Sequence, residues 1–297
     1  NGLLIVVNDI DGSVTNVVDI INKSIPPNIK RVNHFLEHEG IIYISCDFGI
    51  VQYNINTLEF GDTYFIGPNG AEIKIYQTAI LNNEIYAVTV FNGIKKAALT
   101  NPNLNDFNQW QTFDAGFWNG LVSFNNQLVG SNLNNRVYKY NGSFFEEIVN
   151  LNQVNIDIRT YNDKLIITTL NNVYVYNTSF NQLANIQTSQ ITDQAITFTC
   201  ATVINNIIYI GTNENGILTS TIESPTSFEY IMPDGPNRNK IFSISSSPTN
   251  LWAVYGGYNS NYNPYLYIGI SLSQFGVSKF SGENGWLTIP YSDLLEA

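Results

Sequence analysis

The sequence predicts an all-β protein, a seven-bladed propeller of four-stranded blades. Three observations predict it: a phrase recurring at a near-constant period, strand-length apolar runs punctuated by turn residues, and incomplete repeats at both ends. The phrase is a polar turn, an apolar-aromatic run, a small-residue pair, then Gly or Asn ahead of a second strand. It reads Gly40-Ile41-Ile42-Tyr43-Ile44-Ser45 in one copy and Asn206-Ile207-Ile208-Tyr209-Ile210-Gly211-Thr212 in another. With Tyr43, Tyr86, Val129, Ile166, Tyr209 and Trp252 taken as equivalent, the steps are 43, 43, 37, 43 and 43 residues. A period of roughly 40 belongs to propeller blades or solenoid units.

The repeats occupy residues 29–66, 72–113, 119–149, 154–187, 196–232 and 240–290, each resolving into four short strands. In the second copy these are Ile73–Ile80, Ile85–Thr89, Gly93–Ala98 and, after a polar loop at Asn101–Gln109, Trp110–Phe113. Short apolar or alternating runs separated by Asn-Asn, Asn-Gly and Asp-Gly turns are the pattern of strands and hairpins. No amphipathic helix longer than two turns is visible, and the best candidate, Val17–Asn22, reads equally well as strand.

The ends supply halves of one further blade. Leu3–Val7 matches the apolar run, and Asp11-Gly12 turns it into a strand over Ser13–Ile20, while Tyr291–Ala297 is an orphan strand at the other end. Six complete blades plus one closed by the N- and C-terminal strands give seven. Closure removes sheet edges that invite aggregation. An open solenoid would need polar capping repeats, which the sequence does not display. The expectation is a single propeller domain over residues 1–297. The start at Asn1, with neither initiator Met nor signal peptide, suggests a fragment of a larger multidomain protein.

Composition sets the outer bounds. With 297 residues, 44% apolar and 12% charged, the chain is long enough for a large core without staples. A net charge of −11 would repel a phosphate backbone, so nucleic-acid binding and adhesion to an anionic membrane are disfavoured. Basic partners or divalent cations are left open. Cys46 and Cys200 lie four repeats apart and are expected as buried, unbridged thiols. No apolar run is long enough to span a membrane.

Motifs for catalysis are scarce. His34 and His38, the only histidines, stand four apart with Glu37 and Glu39 beside them. In a predicted strand that spacing is about 13 Å, too far to share one ion, so they are expected as solvated or capping groups. The acids Asp47, Asp62, Glu72, Asp106, Asp114, Asp157, Asp193 and Asp234 show no paired spacing. Asp47, Asp157 and Asp193 fall near blade ends, but solvated turn residues are the simpler reading. No nucleophile has a base nearby in sequence, and no phosphate loop or zinc-type cysteine pair occurs. Neither enzymatic activity nor a cofactor or metal is expected.

Two places break the period. One is Asp62–Gly70, an extended link with a Pro-Asn-Gly turn. The other is Gly256–Gly269, inserted between the second and third strands of the last full blade. The second holds Tyr258, Asn259, Asn261, Tyr262 and Tyr265. Tyrosine rings offer platforms to sugar faces, and asparagines offer donors and acceptors to hydroxyls. This makes it the candidate ligand site, with the alternative that its rings pack the loop onto the blade edge.

The order of several phrases resembles one family. Phe-Gly-Ile-Val-Gln-Tyr-Asn at 48–54 is followed by Asp-Thr-Tyr-Phe-Ile-Gly-Pro-Asn-Gly at 62–70. Asp-Phe-Asn-Gln-Trp at 106–110 and Val-Tyr-Lys-Tyr-Asn-Gly at 137–142 come next. Trp-Ala-Val-Tyr-Gly-Gly-Tyr-Asn at 252–259, Asn-Pro-Tyr at 263–265 and Gly-Val-Ser-Lys-Phe-Ser-Gly-Glu-Asn-Gly-Trp at 276–286 complete the series. Together they are similar to the propellers of PorZ-type surface proteins of the Bacteroidetes type IX secretion system. More broadly they resemble the regulator propellers of hybrid two-component sensors.

The PorZ-type resemblance implies a parent protein with two propellers and a C-terminal β-sandwich, on the extracellular face of the outer membrane. It implies contact with other secretion-complex proteins, the sortase subunit among them, and with anionic lipopolysaccharide or glycan. It brings no catalytic residues. The alternative reading is a periplasmic carbohydrate-sensing propeller of a hybrid two-component regulator.

Overall fold

The computed structural model describes residues 2–22, 30–191, 196–213, 215–231, 234–237, 241–255, 257–258, 264–265 and 276–294. Its contacts divide the chain into two compact units, Asn1–Ile231 and Met232–Ala297. The first begins with the hairpin β1 (Leu4–Val7) and β2 (Val14–Val17) and one helical turn, α1 (Asp19–Asn22). Five antiparallel four-stranded sheets follow in chain order. They are β3 (Val32–His38), β4 (Ile41–Cys46), β5 (Gly49–Asn54), β6 (Glu59–Tyr64), then β7 (Ile75–Leu81), β8 (Glu84–Thr89), β9 (Ile94–Ala98), β10 (Gln111–Asp114). The third is β11 (Trp118–Phe124), β12 (Gln127–Asn132), β13 (Arg136–Tyr140), β14 (Phe145–Asn150). The fourth is β15 (Asn155–Tyr161), β16 (Lys164–Thr169), β17 (Asn172–Tyr176), β18 (Gln182–Gln187), and the fifth β19 (Phe198–Ile204), β20 (Ile207–Thr212), β21 (Ile217–Thr221), β22 (Glu229–Ile231).

The second unit pairs β23 (Ile241–Ser246), β24 (Leu251–Tyr255), β27 (Val277–Phe280) and β28 (Trp286–Ile289) in one sheet, with the short ladder β25 (Gly257–Tyr258) and β26 (Pro264–Tyr265) between its second and third strands. Six four-stranded blades and one further hairpin give the seven-bladed β-propeller class that the repeat predicts. One expectation is corrected. Residues 291–294, read as a closing strand, form a helical turn, α2 (Tyr291–Leu294). Pro290 has a φ preset near the helical value, its carbonyl accepts the Asp293 amide at 3.1 Å, and the Asp293 carboxylate favours the positive end of the turn.

The hairpins explain the regularity. His38 pairs with Ile41, Leu81 with Glu84, Phe124 with Gln127 and Ile204 with Ile207, which leaves two-residue loops. Their loop residues have positive φ at both positions, as in Asn82 and Asn83 (52° and 59°) or Asn125 and Asn126 (48° and 58°). That geometry matches the strand twist, and asparagine tolerates it.

Between consecutive elements of the first unit lie apolar layers. Leu4, Val17 and Ile20 pack on Ile44, Phe48 and Val51 of the first blade. Tyr43, Ile50 and Tyr64 meet Ile75, Ile85 and Trp110 of the next. Val173, Val175 and Ile186 meet Phe198, Ile208 and Ile210 further on. Each fully buried side chain of this size contributes about 1.5–3 kcal/mol of transfer free energy, so these layers hold the blades together. Cys46 is buried in one of them and Cys200 is half-buried in β19, and the two form no disulfide.

Candidate functional site

Every blade of the first unit opens with a β-bulge. The register of the first strand against the second skips Asn33, Tyr76, Asn119, Ile156 and Thr199. These positions are spaced by 43, 43, 37 and 43 residues, the period of the repeat. A bulge leaves its extra residue out of the ladder and re-aims the side chains around it. Here the bulges gather the entry residues of β3, β7, β11 and β15 around one pocket of about 250 Å³. Its walls include Arg31, Asn33, His34, Lys74, Tyr76, Gln77, Asn119, Ile156 and Asp157.

The residues just after the bulges are His34, Gln77, Gly120 and Asp157. Gln77 is 5% exposed and reaches three other blades. Its Nε2 donates to the Ile158 carbonyl at 3.0 Å and lies 3.2 Å from His34 Nε2, while its Oε1 accepts the Leu121 amide at 3.3 Å. Gly120 makes the room. A Cβ there would sit 2.5 Å from Ile158 Cγ2, 2.6 Å from Ser131 Oγ and 3.3 Å from Gln77 Oε1.

The bulged asparagines bridge neighbouring blades in the same way. Asn33 Nδ2 donates to the Ile75 carbonyl at 2.8 Å, and Asn119 Nδ2 to the Asn155 carbonyl at 2.9 Å. Ile75 and Asn155 hold the same place in their strands, one residue before the bulge. Both carboxamides therefore satisfy a strand-entry carbonyl of the next blade.

Charge at the mouth is mixed. Asp47 Oδ1 accepts from Asn33 Nδ2 at 2.9 Å and faces Lys74 Nζ at 3.8 Å, and that ammonium also lies 4.7 Å from the Tyr76 ring centroid. Asp157 receives Arg159 Nε on both oxygens, at 3.0 and 2.8 Å. Burial pushes the Asp157 carboxyl up, and the Arg159 guanidinium and a backbone hydrogen bond from Ala201 pull it back. Burial, helped by the positive charge of Arg159, lowers the pKa of His34 from 6.5 to about 4, so the ring is neutral at pH 7. His34 Nδ1 and Asn119 Oδ1 are buried without a hydrogen-bond partner. Arg31 is exposed, and its guanidinium enters no ion pair among the described residues.

These placements revise the reading of the histidines and acids. His34, expected as solvated or capping, is instead drawn into the pocket because the bulge at Asn33 turns its strand entry inward. Asp47 and Asp157, expected as solvated turn residues, have side chains only 15% exposed, each held by a cation. Asp106 caps a short 3-10 turn through the Asn108 amide, and Asp114 accepts from Trp118 Nε1 at 2.7 Å, so both are structural. Asp234 accepts the Trp286 amide.

Among the sequence-nominated ligand residues, Tyr258 and Tyr265 belong to the β25–β26 ladder. Asn259, Asn261 and Tyr262 lie outside the described residues, as does Asp193. Among the described residues, no group of three His, Cys, Asp or Glu side chains is placed to hold a metal, and no helix is long and apolar enough to cross a membrane.

The pocket was reachable from the repeat. The steps of 43, 43 and 37, counted from His34, land on Gln77, Gly120 and Asp157.

The comparisons with known proteins agree on the fold. Residues 5–111 match the family model described as the type IX secretion PorZ N-terminal β-propeller domain. The structure of PorZ from Porphyromonas gingivalis, described as an essential bacterial surface component of the type IX secretion system, is 20% identical with a TM-score of 0.68. That match covers 96% of this chain and 36% of that one, so the chain spans about a third of the PorZ structure. The extracellular domain of the putative one-component system BT4673 from B. thetaiotaomicron is 15% identical with a TM-score of 0.51, covering 87% of this chain and 41% of that one. YCF48 bound to D1 peptide is 8% identical with a TM-score of 0.54, covering 97% and 84%. No curated protein matches the sequence. The chain is thus similar to PorZ, by family model over its first two complete blades and by fold along nearly its whole length.

Proposed function

We propose that this chain is a noncatalytic β-propeller module of a cell-surface component of the type IX secretion system. It would contact other proteins of that machinery, the sortase subunit among them, and bind lipopolysaccharide or glycan through the 256–269 loop while secreted proteins are attached. The observation that carries this reading is the PorZ-domain match over residues 5–111, supported by the likeness in fold to the P. gingivalis surface protein. The partnering of Asp47 with Lys74 and of Asp157 with Arg159 supports a binding role over acid–base work, since both carboxylates are already engaged. The family match also favours this reading over a carbohydrate-sensing propeller of a membrane regulator.

The test is deletion of the encoding gene in its host. Secreted cargo should then fail to attach to the cell surface, with rescue by the intact gene, and normal attachment would overturn the proposal. For the loop, Tyr258→Ala with Tyr262→Ala should weaken lipopolysaccharide binding in titration, and unchanged binding would make the loop structural. Robust hydrolysis of chromogenic glycosides, abolished by Asp157→Asn, would contradict the noncatalytic reading.

A further inference from the structure

The first unit has a second kind of surface beside its polar pocket. Around the same blade ends, the third and fourth blades expose Phe117 (62%), Leu133 (45%), Val154 (38%), Ile156 (44%) and Leu170 (49%). They are neighbours through the backbone. The Leu133 amide donates to the Phe117 carbonyl at 3.3 Å, and Val154 and Leu170 directly flank the paired residues Asn155 and Thr169. Ile156 is itself a wall of the pocket. Singly exposed apolar residues are ordinary, but an arc of five on two adjoining blade ends is the pattern of a contact surface.

Across the pocket from this arc, the same strand-entry positions are cationic. Phe117 and Val154 occupy the place held by Arg31 and Lys74 in the first two blades, by the repeat steps of 43, 43 and 37. Arg31 is without an ion partner among the described residues, Lys74 reaches Asp47 only at 3.8 Å, and the chain as a whole carries −11. With Lys74 set against Asp47 and Asp157 taken up by Arg159, Arg31 is the charge left over at this mixed rim, and it favours an anionic group there. In the pocket, Gln77 Nε2 can only donate to His34 Nε2, which leaves the neutral ring's proton on the buried, unpaired Nδ1 to donate to a backbone carbonyl or a carboxylate, while the buried, unpaired Oδ1 of Asn119 can accept an N–H.

We infer that this mouth docks an extended peptide segment of a partner protein, with Asp or Glu side chains set against Arg31 and Lys74 and an apolar side chain laid on the Phe117–Leu170 arc. Aliphatic side chains make up most of the arc, and the one tyrosine of the pocket wall is already faced by Lys74, which favours peptide over sugar. The inference deepens the protein-contact half of the proposed function and rests on it.

The experiment is panning of a randomised twelve-residue phage-displayed library on the full chain, with the enriched peptides then titrated by fluorescence anisotropy. Enriched sequences should place Asp or Glu beside Leu, Ile or Phe. Binding should fall at least tenfold in Arg31→Ala with Lys74→Ala, and equally in Phe117→Ser with Leu133→Ser. It should weaken as salt rises, and Tyr161→Ser, at the opposite end of β15, should leave it unchanged. Failure to enrich any peptide, enrichment without acidic residues, or binding indifferent to both double variants would overturn the inference. A normal dependence of cargo attachment on the gene would in that case leave the proposed function standing.

Discussion

The layers between the blades and the mouth of the inner strands are cut from the same repeat, yet their chemistry is opposed. In the layers, the same place at the start of the third strand delivers Ile50, Ile94, Val137 and Val173 in four successive copies, all fully buried and alike in kind. At the mouth, equivalent positions deliver His34, Gln77, Gly120 and Asp157, which have nothing in common but their place. A layer needs only apolar volume, so many sequences fill it. The mouth consists of specific hydrogen bonds across blades, where each residue is set by what the others present. The difference teaches where to look in a repeat protein: uniform positions are scaffold, and positions that change type from copy to copy carry the individual character of the molecule.

That contrast sets the order of expected effects. The largest belongs to a layer. Phe198→Ala would empty a fully buried site packed among Ile208, Ile210 and Leu218, at a cost of about 3–5 kcal/mol measured by urea unfolding. A loss below about 1 kcal/mol would mean the layer relaxes and the contrast is false.

Next comes the polar hub. Gln77→Ala strands the Leu121 amide and removes a donor to the Ile158 carbonyl, and should cost about 2–3 kcal/mol. Gly120→Ala, crowded at 2.5–2.6 Å by Ile158 and Ser131, should cost about 1–3 kcal/mol by overpacking.

The pH dependence at His34 is of similar size. Its pKa is lowered on folding, from 6.5 to about 4, so the unfolded chain binds the extra proton. The stability contribution is therefore complete above pH 6.5 and is lost as pH falls towards 4. The loss is on the order of 2–3 kcal/mol, and His34→Gln should flatten that part of the profile. The Asp157 carboxyl, pushed up by burial, works in the opposite sense and is relieved at the acid end.

The smallest effect is expected at the surface. Arg136→Ala breaks a 2.7 Å pair with Glu147, but both side chains are more than a third exposed, so less than about 1 kcal/mol should be lost.

Much of the scaffold was legible in the sequence. The runs Ile85–Thr89 and Gly93–Ala98 anticipate β8 and β9 to within a residue, and all six repeats became four-stranded sheets. Period and turn residues carry that information locally. The C-terminal turn was misread because Tyr291–Ala297 has enough apolar character for a strand, and the helical start given by Pro290 was overlooked.

The mouth was less legible because its chemistry is made by residues about 40 positions apart. Gln77 is ordinary in sequence and becomes central only when β3, β11 and β15 are brought to it. His34 was read by its neighbours along the strand, whereas burial against other blades decides its charge. The 256–269 loop stood out for the reverse reason, since it interrupts the period and its composition is unusual on its own.

Hydrogen–deuterium exchange on the protein isolated with the proteins that co-purify with it, compared with the protein alone, tests most directly whether the mouth is the recognition face. The account predicts partner-dependent protection at residues 31–34, 74–77, 117–120 and 154–158, with the distal hairpins at 39–40, 82–83 and 125–126 unchanged. Protection confined to those hairpins, or to 256–269 alone, would contradict it.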